Sequence, residues 1–296
     1  MDERRPSPGR LHAVTARLEA WLAASGGRME TVGYPRAGGR ARGCRLVPAG
    51  AARGRVLLAH GAGNDALYPL HALCRPLLRA GLEIFAFDLD GHGRESTTFF
   101  DVARIEDALA DAAYRAEDGG PPLPLHLLGH SLGGSLVLHA LSRPGWERVV
   151  SAAVISAPVR LRIGWTVLRE LRGVFGRATL AQREHYGVWG IVPAVGPLKR
   201  GAYPFRAEGA GGGFGYVAGV TALLERLRLE DAAERIRTPV LLVYSRADGI
   251  VPAEQGELLA GRIPGARLEM LRRPPHWCVP FEPRTVARVA EWLEAA

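Results

Sequence analysis

Short apolar runs alternate with helix-length segments along most of this chain, and that rhythm restricts the fold more than any other feature. Residues 55–59, 83–87, 125–128, 149–155, 238–244 and 267–271 are rich in Val, Leu, Ile or Phe, and each run ends at a turn. Between them, residues 67–80, 102–116 and 132–142 carry apolar side chains at helical spacing, and 284–293 closes the chain in the same way. Strands that are apolar throughout are buried on both faces. Joined by helices, they form an α/β fold with a mostly parallel central sheet and helices on both sides. Leu11, Val14, Leu18, Trp21 and Leu22 predict a further helix over 10–24, and two weaker strands are expected at 29–34 and 44–47.

The rhythm breaks after Pro158. Residues 160–232 read first as helical, with Trp165, Leu168, Leu171 and Phe175 on one face. They then turn aromatic and glycine-rich, through Trp189, Tyr203, Phe205, Phe214 and Tyr216. The expected organisation is therefore a core built from 1–159 and 233–296, with 160–232 as an inserted helical cap. The cap aromatics either line an acyl or aromatic pocket or form the core of the insert itself.

A chain of 296 residues can bury a full core. The formal charge of +8 raises nucleic acid as a partner, but Lys199 is the only lysine and the arginines are scattered rather than clustered. No nucleic-acid partner is expected. Cys44, Cys74 and Cys278 are odd in number and lack metal-site spacing, which fits a reducing cytoplasm rather than a disulfide scaffold or a zinc site. The opening residues 1–6 are charged and prolyl, unlike a signal peptide, and no run approaches the roughly 20 apolar residues of a bilayer span. A cytoplasmic protein is expected, with transient contact to a lipid interface open through an apolar cap face. Oligomeric state leaves no trace in the sequence.

The chemistry centres on Gly129-His130-Ser131-Leu132-Gly133. In a chain with 37 glycines this pentapeptide is weak alone. Its setting strengthens it: an apolar strand leads in and a helical segment leads out, as a nucleophile elbow requires. Gly129 and Gly133 leave room for the tight turn. A serine needs a base, and the base needs an orienting acid. For this arrangement the chain order is serine, acid, histidine. Downstream of Ser131, His139 falls in the following helix and His185 in the expected cap. His276 lies just past the last strand and is the expected base. Asp248 follows the 238–244 strand, whereas the preceding strand end, Ser156-Ala157-Pro158, offers no carboxylate. Asp231 and Glu254 are alternatives better suited to solvated helix surfaces. Two backbone N–H groups for a developing oxyanion are expected from Leu132 and from the loop His60-Gly61-Ala62-Gly63, at Ala62.

These residues, together with Asp88-Leu89-Asp90-Gly91-His92-Gly93 and Val251-Pro252, give the chain its resemblance to a known family. It resembles the α/β-hydrolase superfamily, in the branch of lysophospholipases, monoacylglycerol lipases and serine-aminopeptidase-like hydrolases, over residues 50–160 and 235–296. The resemblance implies a triad of Ser131, Asp248 and His276 and an oxyanion hole of Ala62 and Leu132. It implies a structural loop, not a metal site, for Asp88, Asp90 and His92. The chain departs from the pattern at Glu95-Ser96, where relatives carry a serine one position earlier, and at Ser245 and Pro275, where relatives often carry glycine.

The expected function is a serine hydrolase of a carboxylic ester or thioester, lipid-like or small, acting through an acyl-enzyme without a cofactor. Acyl transfer or amide cleavage on the same triad is the alternative. A non-catalytic binding protein of the same fold is more remote.

Overall fold

A computed structural model describes residues 13–36, 38–93, 96–118, 120–161 and 212–296. Eight strands form one sheet: β1 (Arg28–Arg36), β2 (Gly39–Val47), β3 (Gly54–Ala59), β4 (Leu82–Phe87), β5 (Leu125–His130), β6 (Val149–Ile155), β7 (Val240–Ser245) and β8 (Arg267–Leu271). Their order is β1-β2-β4-β3-β5-β6-β7-β8. Pairing is parallel from β4 through β8, while β1 pairs antiparallel with β2 and β2 with β4. All six apolar runs are strands, and the two weaker candidates form an N-terminal hairpin with β1 at the sheet edge.

Alternation along each strand divides the core into two layers. Leu57 and Ala59 of β3, Phe85 and Phe87 of β4, and Leu127 of β5 face one layer, with Val154 and Leu242. Helices α3 (Ile105–Glu117) and α4 (Leu132–Leu141) cover it. Val56 and Leu58, Ile84 and Ala86, Leu128, Ala153 and Val243 face the other layer. Helices α1 (Ala13–Ala24), α2 (His71–Arg79) and α8 (Pro283–Glu294) close it. Every residue of β3, β4, β5 and β7 is buried, which is why these strands lack the polar alternation of a one-sided sheet.

Most of the expected cap, residues 162–211, lies outside the described residues, as do His185 and the aromatics from Trp165 to Phe205. Its C-terminal part contains α5 (Gly212–Leu227) and α6 (Leu229–Ala232). Val220, Leu223, Leu224, Leu227 and Leu229 join the α3–α4 layer. Gln255, on helix α7 (Ala253–Arg262), pins the chain where it leaves the sheet. Its amide oxygen accepts the N–H groups of Val159 at 2.6 Å and Arg160 at 3.1 Å, and its amide nitrogen donates to the Arg160 carbonyl at 2.9 Å. Among the described residues, no helix is long and apolar enough to cross a membrane.

Candidate active site

Chain order reverses direction on the sheet between β3 and β5, its two central neighbours. Loops leaving the carboxyl ends of strands on either side of such a switch diverge and open a crevice. The His60–Gly63 loop leaves β3 and Ser131 follows β5. Asp248 comes after β7 and His276 after β8.

Ser131 sits between β5 and α4 with φ 52° and ψ −121°, a conformation non-glycine residues rarely adopt. Its neighbours hold it there. The Ser131 N–H donates to the Ile155 carbonyl at 2.8 Å, and its own carbonyl accepts the Ser135 N–H at 3.0 Å. The turn closes only because Gly133 lacks a side chain. A Cβ there would lie 2.5 Å from the Ala59 carbonyl carbon and closer still to the Ala59 and His60 carbonyl oxygens. These are backbone atoms at the end of a buried strand and cannot swing away. Gly133→Ala is expected to cost about 3 kcal/mol of stability, read as a lowered urea midpoint. An unchanged midpoint would mean that the β3–α4 junction yields.

The Ser131 hydroxyl donates to His276 Nε2 at 3.0 Å, and His276 Nδ1 donates to Asp248 Oδ2 at 2.8 Å. The other Asp248 oxygen, Oδ1, accepts the N–H groups of Ile250 at 3.0 Å and Val251 at 2.7 Å. This carboxylate is therefore held on both oxygens and aimed at the imidazole. All three residues are buried, with Ser131 the most exposed at 9%. His276 opens a single 3-10 segment, His276–Phe281. Val279 anchors that segment in the core, and the Phe281 ring packs 5.7 Å from Tyr68 and 5.3 Å from His71.

Leu132 is the first residue of α4, so its N–H has no acceptor within the helix. The His60–Gly63 loop lies against the serine: a Cβ on Gly61 would come within 3.0 Å of Ser131 Cβ. His60 fastens this loop. Its Nε2 accepts the Leu89 N–H at 2.9 Å, which leaves the proton on Nδ1 to donate to the Gly61 carbonyl at 2.7 Å. Burial lowers its pKa to about 4, so the ring keeps this neutral form at physiological pH. Asn64 adds a bond from its side-chain amide to the Ala62 carbonyl at 3.3 Å.

The Asp88–Gly93 loop is braced by protein groups. Asp88 Oδ1 accepts the Ala66 N–H at 2.8 Å and Oδ2 accepts the Ser96 hydroxyl at 2.8 Å, so Ser96 reaches Asp88 despite its displaced position in the sequence. Asp90 takes the guanidinium of Arg36 on both oxygens. The His92 ring bonds the Asp90 carbonyl through Nδ1 at 2.9 Å and meets His60 edge-on, with centroids 5.3 Å apart. Among the described residues no cluster of His, Cys, Asp and Glu could hold a metal ion.

Burial raises the Asp88 pKa from 3.8 to about 6. A folded-state pKa above the unfolded one gives stability that is complete below about pH 4 and lost as pH rises through about 6. Asp88→Asn is expected to remove this loss, so that its stability relative to wild type improves by about 2 kcal/mol between pH 4 and 7. Urea melts at both pH values read the difference, and parallel pH dependences would contradict it.

The residues weighed against the site lie elsewhere. His139 on α4 bonds Glu106 through Nε2 at 2.9 Å and the Leu227 carbonyl through Nδ1 at 3.2 Å. Asp231 pairs with Arg228 at 2.6 Å, and Glu254 is exposed on α7. Sequence reasoning passed over His130, whose ring packs 5.1 Å from that of His276. Its place beside Ser131 was visible, but the ring contact spans 146 positions of chain, from 130 to 276.

A sequence model of the alpha/beta hydrolase family matches residues 56–292. The chain is 33% identical over 107 residues to the monoglyceride lipase of Homo sapiens, covering 34% of this chain and 35% of that one. It is 27% identical over 220 residues to a pimeloyl-[acyl-carrier protein] methyl ester esterase of Neisseria meningitidis, covering 68% and 78%. The chain spans about a third of the length of the monoglyceride lipase and of the other curated relatives that it matches over a similar stretch. Among solved structures, a serine hydrolase from Cycloclasticus zankles superimposes with a TM-score of 0.65 at 17% identity, over 90% of this chain and 98% of that one. A Paleococcus ferrophilus monoacylglycerol lipase does so with a TM-score of 0.60 at 22% identity, over 85% and 98%. These two structures share the fold. With the family's sequence model matching most of its length, the chain belongs to the alpha/beta hydrolase family.

Proposed function

We propose that this protein is a serine hydrolase that cleaves a carboxylic ester or thioester through an acyl-enzyme. One observation carries the reading: the unbroken path from the Ser131 hydroxyl through His276 to Asp248, with steps of 3.0 and 2.8 Å. Ser131 Oγ attacks the substrate carbonyl while His276 Nε2 takes its proton. Asp248 holds the imidazole tautomer and steadies the imidazolium that forms. The carbonyl oxygen becomes an oxyanion and accepts the N–H groups of Leu132 and Ala62, each worth roughly 3 kcal/mol of barrier. His276 then protonates the departing alkoxide or thiolate. In deacylation it takes a proton from water as the water oxygen attacks the acyl carbon, then gives that proton to Ser131 Oγ as the acyl C–O bond to serine breaks and the acid leaves. None of these steps needs a cofactor.

The relatives' names, a monoglyceride lipase and a methyl ester esterase acting on an acyl chain, support a lipid-like acyl ester. Residues 160–232, inserted between β6 and β7, are the proposed cap that sets acyl length. The test is a series of p-nitrophenyl esters and one thioester of rising acyl length, with the Ser131→Ala protein as blank. Turnover should depend on acyl length and vanish in the blank. Equal turnover in the blank, or turnover of anilides alone, would overturn the proposal.

A further inference from the structure

We propose that His130 is a positioning residue that sets the plane of the His276 imidazole and its spacing from the His60–Gly63 loop. This inference rests on the reading of Ser131, His276 and Asp248 as a catalytic unit.

Two hydrogen bonds alone do not fix the orientation of an imidazole. Ser131 holds His276 at Nε2 and Asp248 holds it at Nδ1. Each bond tolerates some roll of the ring about χ2, and what packs against the ring's faces limits that roll. Hydrogen bonds weaken steeply as the ring rolls out of line. Fixing the roll requires a flat group against a ring face. Trp277 meets His276 edge-on, with centroids 6.4 Å apart and planes at 71°. His130 lies closer and flatter, with centroids 5.1 Å apart and planes at 35°.

His130 is well placed to act as a wedge. It is the last residue of β5, directly before Ser131, and is completely buried. Its backbone is fixed in the sheet opposite Ile155. On its other side a Cβ on Gly61 would come within 2.9 Å of His130 Nδ1, so the ring abuts the loop that carries Ala62. The same side chain therefore touches the expected base and the expected oxyanion loop.

The polar environment argues against a purely structural histidine. Neither ring nitrogen makes a hydrogen bond of good geometry, although both are buried. Buried polar groups without partners are costly and uncommon. Burial, reinforced by repulsion from His276 whenever that ring is protonated, drives the pKa well below 6.5 and outweighs the favourable approach of the His276 backbone. The ring is therefore neutral at physiological pH and adds no positive charge beside the imidazolium that His276 becomes. A neutral aromatic face next to a forming cation is mildly attractive.

The test uses the full chain with His130→Ala, His130→Leu and His130→Phe. Active sites are titrated to completion with a fluorophosphonate, and kcat per titrated site is measured with KM on a p-nitrophenyl ester. Loss of the flat face should lower kcat about 100-fold in the Ala and Leu variants with little change in KM, since misplacing a catalytic group acts on the chemical step. Phe restores a planar face and should return kcat to within about fivefold of wild type. Wild-type kcat per titrated site in Leu or Ala, or a Phe variant as slow as Leu, would overturn the proposal. If the Ala variant does not fold, the Leu–Phe comparison decides. A wild-type protein that takes up no label at Ser131 defeats the serine-hydrolase reading itself, which separates the two failures.

Discussion

Replacing Ser131 with alanine is expected to lower kcat on an activated ester by about 10⁴- to 10⁶-fold while leaving the urea midpoint nearly unchanged. The side chain is small, and truncating it removes one hydrogen bond, to His276. Folding therefore loses about 1 kcal/mol, whereas the reaction loses its nucleophile. His276→Ala should fall in the same range. The double variant should be little worse than either single one, because residues acting in one step are not additive. A residual rate above that of water would come from the Leu132 and Ala62 N–H groups. If Ser131→Ala lost only tenfold, or if the two substitutions multiplied, Ser131 and His276 would not act as a unit.

The largest expected effect on stability lies away from the reacting atoms, at Arg36 and Asp90. Their side chains are 3% and 2% exposed and meet at 2.6 Å. Arg36 also bonds Asp111 at 2.6 Å and the Arg104 carbonyl at 2.6 Å, which ties β1 to α3 and to the Asp88–Gly93 loop. Asp90→Ala leaves a buried guanidinium whose bonds to the Arg104 carbonyl and to the half-exposed Asp111 carboxylate do not replace the buried counter-charge. The expected cost is about 3–5 kcal/mol. At roughly 2–4 °C per kcal/mol for a domain approaching this size, the thermal midpoint should fall by about 10 °C. Removing both charges together, as Arg36→Met with Asp90→Leu, should recover most of that loss, since the damage comes from the unpaired charge. A double variant as unstable as Asp90→Ala would contradict this account, as would an Asp90→Ala protein that melts with wild type.

The strands were the most legible part of the fold because they are apolar on both faces, so hydrophobicity alone marks them. Their ends were less legible. β5 continues past Leu128 through Gly129 and His130, which pair with Val154 and Ile155. Pairing with a neighbour, not apolarity, sets that boundary. Helix α2 begins at His71 rather than at residue 67. Asp65 caps a turn there, accepting the N–H groups of Leu67 and Tyr68, and Pro69 disfavours helical backbone at Tyr68. Helix α7 left little trace because it contains Gly256 and Gly261, both weak helix formers. Gly256 is required there, since a Cβ would lie 2.5 Å from the Tyr244 ring.

At the site, Ser131, Asp248 and His276 could be picked out because chain order and strand-end position constrain them independently. The structure brings all three together. The ring contact of His130 with His276 could not be read, since it depends on how the end of β5 and the segment after β8 meet in space. The loop Asp88–Gly93 was legible only as a motif. Its partners Arg36, Ala66 and Ser96 come from three separate segments.

The most direct measurement is covalent labelling of the full chain with a fluorophosphonate, read by intact mass and then by peptide mapping. A triad of Ser131, His276 and Asp248 predicts a single adduct on Ser131, none on Ser131→Ala, and labelling slowed by orders of magnitude in His276→Ala. An adduct on another residue, or a Ser131→Ala protein that labels as fast as wild type, would contradict it.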